Sequence, residues 1–202
     1  MKLYYSPGAC SLSPHIVLLE AALPYTLEKV NLAAKKTAAG VDYLTINSKG
    51  FVPALQLDDG KVLTEGPAVV QYLADKKPDS GLAPRAGTFE RYQLMEMLNY
   101  IASDVHKNFS PLFHKEASAE WKTTARAALG KQFDWLSTFL QGKTFLFGNT
   151  FTVADAYLFT VLNWPAHVGI DLKVWPVLAA YHTNIAQRPS VQQAMKEEGL
   201  LK

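Results

Sequence analysis

The sequence holds one cysteine, Cys10, in 202 residues, and that scarcity excludes an intramolecular disulfide. A fold that needs no oxidising compartment fits a reducing cytoplasm. An excess of either charge is also missing: 20 Lys and Arg against 18 Asp and Glu leave a net charge of +2. Basic residues gather no further than pairs such as Lys35–Lys36 and Lys76–Lys77, which gives no footprint for nucleic acid. Long apolar runs are absent too. The longest candidate, Val153 to Ile170, is broken by Asp155, Asn163, Pro165 and His167, against a membrane span. Pro7, Gly8 and Pro14 likewise interrupt any secretion-signal core after Lys2. The histidines, His15, His106, His114, His167 and His182, form no i, i+4 pair with each other or with Cys10, so no metal site is expected. There is no G-x-S-x-G elbow. Gly142-Lys143-Thr144 resembles the end of a phosphate-binding loop, but no strand pattern precedes it and Ser137 stands where the first glycine belongs. What remains is an ordinary soluble globular composition, 49% apolar and 19% charged.

The chain changes character near its middle. Lys2 to Ser6 reads as a strand ended by Pro7–Gly8, Ser11 to Leu23 as a helix stopped by Pro24, and Tyr25 to Leu32 as a second strand. A loop and a short helix are expected between Ala33 and Lys49. Ala54 to Leu57, the turn Asp58-Asp59-Gly60 and Lys61 to Leu63 predict a hairpin. From Gly66, the stripe Val69, Val70 and Leu73 predicts an amphipathic helix. This first unit, residues 1–77, reads β-α-β-α-β-β-α. A linker is expected over 78–87, rich in proline and glycine. Residues 88–202 then read as all-helical: Phe89 to Phe109, Ala119 to Leu140, an apolar Val153 to Asn163, Val177 to Gln187 and Val191 to Glu198. Thr152 and Asp155 have the spacing of a capping box, so replacing Asp155 by Ala is expected to cost roughly 1 kcal/mol or more.

Three features carry chemistry. A thiol just ahead of a helix meets unsatisfied N–H groups and the positive end of the helix dipole, and both favour thiolate. Cys10-Ser11-Leu12-Ser13 is a one-thiol form of C-x-x-C, whose oxidised product is a mixed disulfide with a small thiol. Cys10 reads equally as a small buried residue without chemistry. The second feature is Val52–Pro53, directly before a strand. The third is Leu63-Thr64-Glu65-Gly66 at a helix start, where backbone N–H groups suit a carboxylate and Glu65 suits an ammonium group. A ligand with a carboxylate beside an amine fits both. Together the three describe a site for a thiol tripeptide.

Over essentially its whole length the sequence resembles the bacterial beta class of glutathione transferases. The fragments that carry this are Tyr4-Tyr5-Ser6-Pro7-Gly8-Ala9-Cys10-Ser11-Leu12, Val52-Pro53-Ala54-Leu55, Leu63-Thr64-Glu65-Gly66, Asn99-Tyr100-Ile101 and Phe151-Thr152-Val153-Ala154-Asp155-Ala156-Tyr157-Leu158. The resemblance implies an α/β thioredoxin-like N-terminal domain, an all-α C-terminal domain and a homodimer with glutathione as co-substrate and no metal. It implies that Cys10 contacts or covalently pairs with the glutathione sulfur, with His106 near that sulfur; Ser11 reads as a further helper there. Val52, beside a cis Pro53, would pair with the cysteinyl backbone. Glu65 and Gly66 would hold the γ-glutamyl end, and Lys35 the glycyl carboxylate. Gly66 departs from the Ser that many other classes carry there. Asn99, Asp104 and Lys107 join the glutathione site, with Asp104 reaching the partner's ligand. Tyr5 is a weaker candidate for holding the sulfur.

The expected activity is conjugation of glutathione to a small apolar electrophile in a pocket walled by Phe109, Phe113 and Trp164, where Phe109 and Trp164 read equally as core. A glutathione-dependent disulfide reductase or peroxidase using Cys10 is the first alternative, and a non-enzymatic binding or scaffold protein of the same fold the second. Phe51 reads either as an insertion into the partner subunit or as a buried residue of its own domain.

Overall fold

Alternation of side chains decides how the first half assembles. In the computed structural model, which describes residues 1–201, strand β1 (Lys2–Tyr5) turns Leu3 and Tyr5 to one face and Tyr4 to the other. β1 pairs in parallel with β2 (Thr26–Asn31), with Leu3 opposite Leu27, and helix α1 (Leu12–Glu20) crosses between them. On its other side β1 runs antiparallel to β4 (Ala54–Gln56), which forms the expected hairpin with β5 (Val62–Thr64). A two-residue strand β3 (Lys36–Thr37) adds to β2, giving a five-stranded sheet in the order β3-β2-β1-β4-β5.

The thioredoxin-like architecture stands, with one local correction. Where a short helix was expected between Ala33 and Lys49, the chain makes β3 and a single 3-10 turn, Tyr43–Thr45. The turn suffices because one large side chain does the covering. Tyr43 is fully buried against Tyr4, Val30, Val52 and Ala54 on that face of the sheet, and its hydroxyl donates to Phe51 O at 2.8 Å.

The opposite sheet face packs on α1 and α2 (Gly66–Lys76), and that core runs without a break into the second half. Helix α3 (Phe89–Tyr100) starts at Thr88, whose hydroxyl accepts from Arg91 N–H. It then loosens into a π-turn at Ile101–His106, tightens through Lys107–Phe109 and ends as the short α4 (Ser110–Phe113). One extra residue per turn offsets the side chains that follow by about 100° from a straight α-helix. The long α5 (Ala119–Phe139), the buried α6 (Val153–Leu162), α7 (Pro176–Ala186) and α8 (Pro189–Glu197) complete the bundle. Arg91 ties the halves together: its guanidinium is buried, grips both oxygens of Asp75 at 2.7 Å and donates to Gln71 and to Pro84 O.

Candidate functional site

The turn Ser6 to Ser11 places Cys10 between the sheet and the helical half. Ala9 N–H donates to Ser6 O and Leu12 N–H to Ala9 O, which winds the chain into α1 directly after the cysteine. Ser11 closes the turn from inside. Its fully buried hydroxyl donates to Ser6 O and accepts from Ser6 N–H. The expected role of that hydroxyl at the sulfur is therefore corrected: its one proton is committed to the turn, and Ser11 reaches the sulfur through its backbone N–H.

The Cys10 thiol donates to Val52 O at 3.1 Å, and the Val52–Pro53 peptide bond is cis. The expected thiolate character is not found. Burial is the main cause, pushing the thiol up to about 12, and the carboxylates of Glu65 and Glu198 add to it. The N–H groups of Cys10 and Ser11 pull the other way without prevailing. Loss of hydration at the sulfur outweighs the two N–H groups at the helix start, although Cys10 as a residue is only partly buried.

Glu65 stands immediately before α2 with φ of 70°. That left-handed backbone disfavours a side chain with a Cβ, and it turns the carboxylate outward instead of capping its own helix. There it meets Lys49, in an ion pair whose two side chains are more than half exposed. Exposed pairs contribute little, so a ligand ammonium can replace Lys49 at small cost. At Gly66 a Cβ would meet nothing within 4 Å. Lys35 Nζ donates to Gly50 O at 2.8 Å and lies 5.2 Å from the Phe51 ring centroid, on the same side of the proline loop. Phe51 itself is 68% exposed, which corrects a buried intradomain role.

From the helical half, the π-turn brings His106 beside the cysteine loop. His106 Nδ1 lies 2.7 Å from the Tyr157 hydroxyl on α6, and its ring meets the edge of Trp164 at 4.7 Å. Trp164 Nε1 donates to Gly8 O at 2.9 Å, joining this aromatic group to the turn that carries Cys10. Burial chiefly, with Lys107 next, lowers His106 to about 4, so the ring is neutral at pH 7. Phe113 is half exposed, but Phe109 is fully buried against Phe113, Phe133 and Trp164. Of the two readings of Phe109 the structure selects the core one, with its ring behind Phe113 and Trp164. Asn99, Asp104 and Lys107 are exposed, and their side chains make no hydrogen bond to the first half of the protomer among the described residues. Tyr5 packs in the core, with burial and then Glu198, Glu197 and Glu28 raising its pKa.

Sequence profiles of known families match both halves: "Glutathione S-transferase, N-terminal domain" covers residues 8–76 and "Glutathione S-transferase, C-terminal domain" covers 100–189. The chain belongs to the glutathione S-transferase family. It is 47% identical to glutathione S-transferase GstA of Escherichia coli O157:H7, over 99% of this chain and 100% of that protein. The solved structure of a bacterial beta-class glutathione S-transferase from Sphingomonas chungbukensis is 51% identical with a TM-score of 0.97 over the full length of both chains. A sphingomonad glutathione S-transferase solved in complex with glutathione is 49% identical with a TM-score of 0.96, again over both full chains.

For a member of this family, sequence reasoning passed over three residues at the site. Lys49 is the free-state partner of Glu65. Tyr157 offered a signal, a phenol in the middle of a helix that is apolar apart from Asp155 and Thr160. Glu198 offered none: it reads as a solvated helix end, yet it is 5% exposed, accepts from Gly8 N–H at 2.9 Å and contacts His15 Nδ1 at 3.0 Å. An open cavity of about 820 Å³, lined by Ala83, Pro84, Phe139 and Leu146 among others, contains none of the site residues. Among the described residues no helix is long and apolar enough to cross a membrane.

Proposed function

We propose that this glutathione S-transferase family member binds reduced glutathione across the Cys10 turn and the start of α2, and directs its sulfur at a small apolar electrophile between the two halves. The carrying observation is the thiol of Cys10 docked on the carbonyl before cis Pro53 while Glu65, held at positive φ, faces the same sulfur closely enough to raise its pKa. A ligand strand that pairs with Val52 lies beside the one sulfhydryl of the protein, and its ammonium finds Glu65. In this reading Gly66 N–H holds the γ-glutamyl carboxylate and Lys35 the glycyl one. Asn99, Asp104 and Lys107 line the outer rim, in part toward the ligand of a second protomer. Phe113 and Trp164 face the electrophile. The exposed ring of Phe51 supports a homodimer in which it inserts into the partner, and a reducing cytoplasm is the setting that suits a free thiol.

One observation favours conjugation over disulfide reduction. A thiol pushed up to about 12 by burial and donating its one proton to Val52 O is a poor nucleophile at pH 7, whereas the neighbouring N–H groups of Cys10 and Ser11 can bind another sulfur. Turnover of 1-chloro-2,4-dinitrobenzene with glutathione tests the reading directly. Cys10→Ala should keep most of that activity and lose reduction of a glutathione mixed disulfide. Loss of both would make Cys10 the reacting group, and no heat on titrating glutathione into the protein would favour a scaffold role.

A further inference from the structure

We infer that Tyr157 is a positioning residue of the transferase site: its hydroxyl donates to Nδ1 of His106, fixes the ring in the tautomer protonated on Nε2, and makes His106 a neutral hydrogen-bond donor toward the glutathione sulfur. The inference deepens the transferase reading and rests on it for the identity of the acceptor.

The geometry allows two arrangements of the 2.7 Å contact. Either the phenol donates to a bare Nδ1, or an Nδ1–H donates to the phenol oxygen. In the second arrangement the phenol proton needs another acceptor, and Tyr157 makes no other hydrogen bond among the described residues while being 3% exposed. The first arrangement satisfies both groups. Burial, followed by Cys10 and Glu65, raises the Tyr157 pKa, so the phenol keeps its proton to give. His106, lowered to about 4, has no second proton of its own at neutral pH. With Nδ1 accepting, the ring proton sits on Nε2.

Nε2 is also the free nitrogen. It has no protein partner among the described residues, and it is not among the buried polar atoms left without one, so it retains access to solvent. Tyr157 on Nδ1 and the Trp164 ring at 4.7 Å, itself anchored on Gly8 O, hold the ring in this orientation. The groups that face His106 are Lys107 beside it, Tyr157 from α6 and, beyond Tyr157, Cys10 and Glu65. No carboxylate is in hydrogen-bond reach of the ring to draw a second proton onto it.

A donor so fixed is not a base. In conjugation the glutathione thiol releases its proton to solvent, the sulfur lone pair forms the carbon–sulfur bond, and the leaving group departs with the electron pair of the bond that breaks. His106 keeps its proton throughout and stabilises the thiolate before attack.

Long-range proton–nitrogen correlation spectra of 15N-labelled protein at pH 7 read the tautomer directly, with His106→Gln assigning the signals. The expected result is an Nε2–H ring in the wild type. Tyr157→Phe should give a mixed or Nδ1–H ring, lower kcat about tenfold with the KM for glutathione changed less than about twofold, and move the ionisation of bound glutathione to higher pH. An Nδ1–H ring in the wild type overturns the inference with no variant needed, so it stands testable even if Tyr157→Phe fails to fold. A Tyr157→Phe enzyme with the wild-type tautomer and unchanged kcat overturns it as well. A wild type with no glutathione turnover overturns the transferase reading instead, and the two failures are distinct because the spectrum is recorded without glutathione.

Discussion

Replacing Asp155 by Ala should cost far more than the helix cap that the sequence suggests. Thr152 donates both its N–H and its hydroxyl to Oδ2, at 2.8 and 2.9 Å. Oδ1 accepts from Leu146 N–H and from the Tyr181 hydroxyl, each at 2.8 Å. A fully buried carboxylate thus joins the loop before α6, the first turn of α6, and α7. Removing it leaves two backbone N–H groups, the Thr152 hydroxyl and a phenol without this acceptor inside the protein. At about 1–1.5 kcal/mol per orphaned donor the loss is about 4–6 kcal/mol. Relief of the buried charge, whose cost raises the carboxyl pKa against the four donors, returns part of that. A net loss of about 3 kcal/mol, or roughly 6–12 °C in Tm for a chain of this size, is expected. Thermal unfolding followed by circular dichroism at several protein concentrations measures it and separates any dimer contribution. Tyr181→Phe removes one donor from the same cluster, so the double variant should lose less than the sum of the single losses. A loss under about 1 kcal/mol, or strict additivity with Tyr181→Phe, would refute the clamp. A variant that melts like the parent but is inactive would refute it more thoroughly, by moving Asp155 into the chemistry.

Two further outcomes follow from the site. His106 takes up a proton near 4 in the fold and near 6.5 when unfolded, so the unfolded chain binds more protons between those values. The stabilisation from keeping His106 neutral is complete above 6.5 and lost as pH falls to about 4; at roughly 1.36 kcal/mol per pH unit the gap is worth about 3 kcal/mol. Urea unfolding should show wild type losing about 2.5 kcal/mol more unfolding free energy than His106→Gln between about pH 7 and 4.5, and parallel pH profiles would contradict it. Gly66→Ser should fold normally, because the added Cβ meets open space, and should bind glutathione more tightly by up to about 1 kcal/mol through its hydroxyl. Weaker binding by titration calorimetry would remove Gly66 from the γ-glutamyl end.

The elements that sequence made legible are those whose signals are local. Pro7–Gly8 ends β1 and Pro24 follows α1, while Asp58-Asp59-Gly60 makes the hairpin turn. Each works through backbone preference within a few residues. Residues 33–49 failed the same treatment because their order comes from distant partners. Ala38 N–H donates to Lys29 O, Tyr43 N–H to Lys35 O, and the Tyr43 ring is buried by Tyr4 and Val52. No periodicity records those contacts. Cys10 shows the same division within one residue. Its place before a helix is a local fact and was readable, whereas the burial and the two carboxylates that decide its ionisation arrive from α2 and from the residue following α8.

That division also explains why the site can be a binding slot for a thiolate while its own thiol stays protonated. The Cys10 sulfur is enclosed by Val52 and faces Glu65 and Glu198, so negative charge there is opposed by burial and by both acids. A ligand sulfur beside it occupies a different field. In the proposed reading the neutral His106 and the backbone N–H groups of Cys10 and Ser11 are the donors on that side, and a ligand ammonium on Glu65 offsets one of the two acids. The proposed site is therefore asymmetric: the fold suppresses the resident thiolate, while in this reading a visiting one meets donors in place of acids.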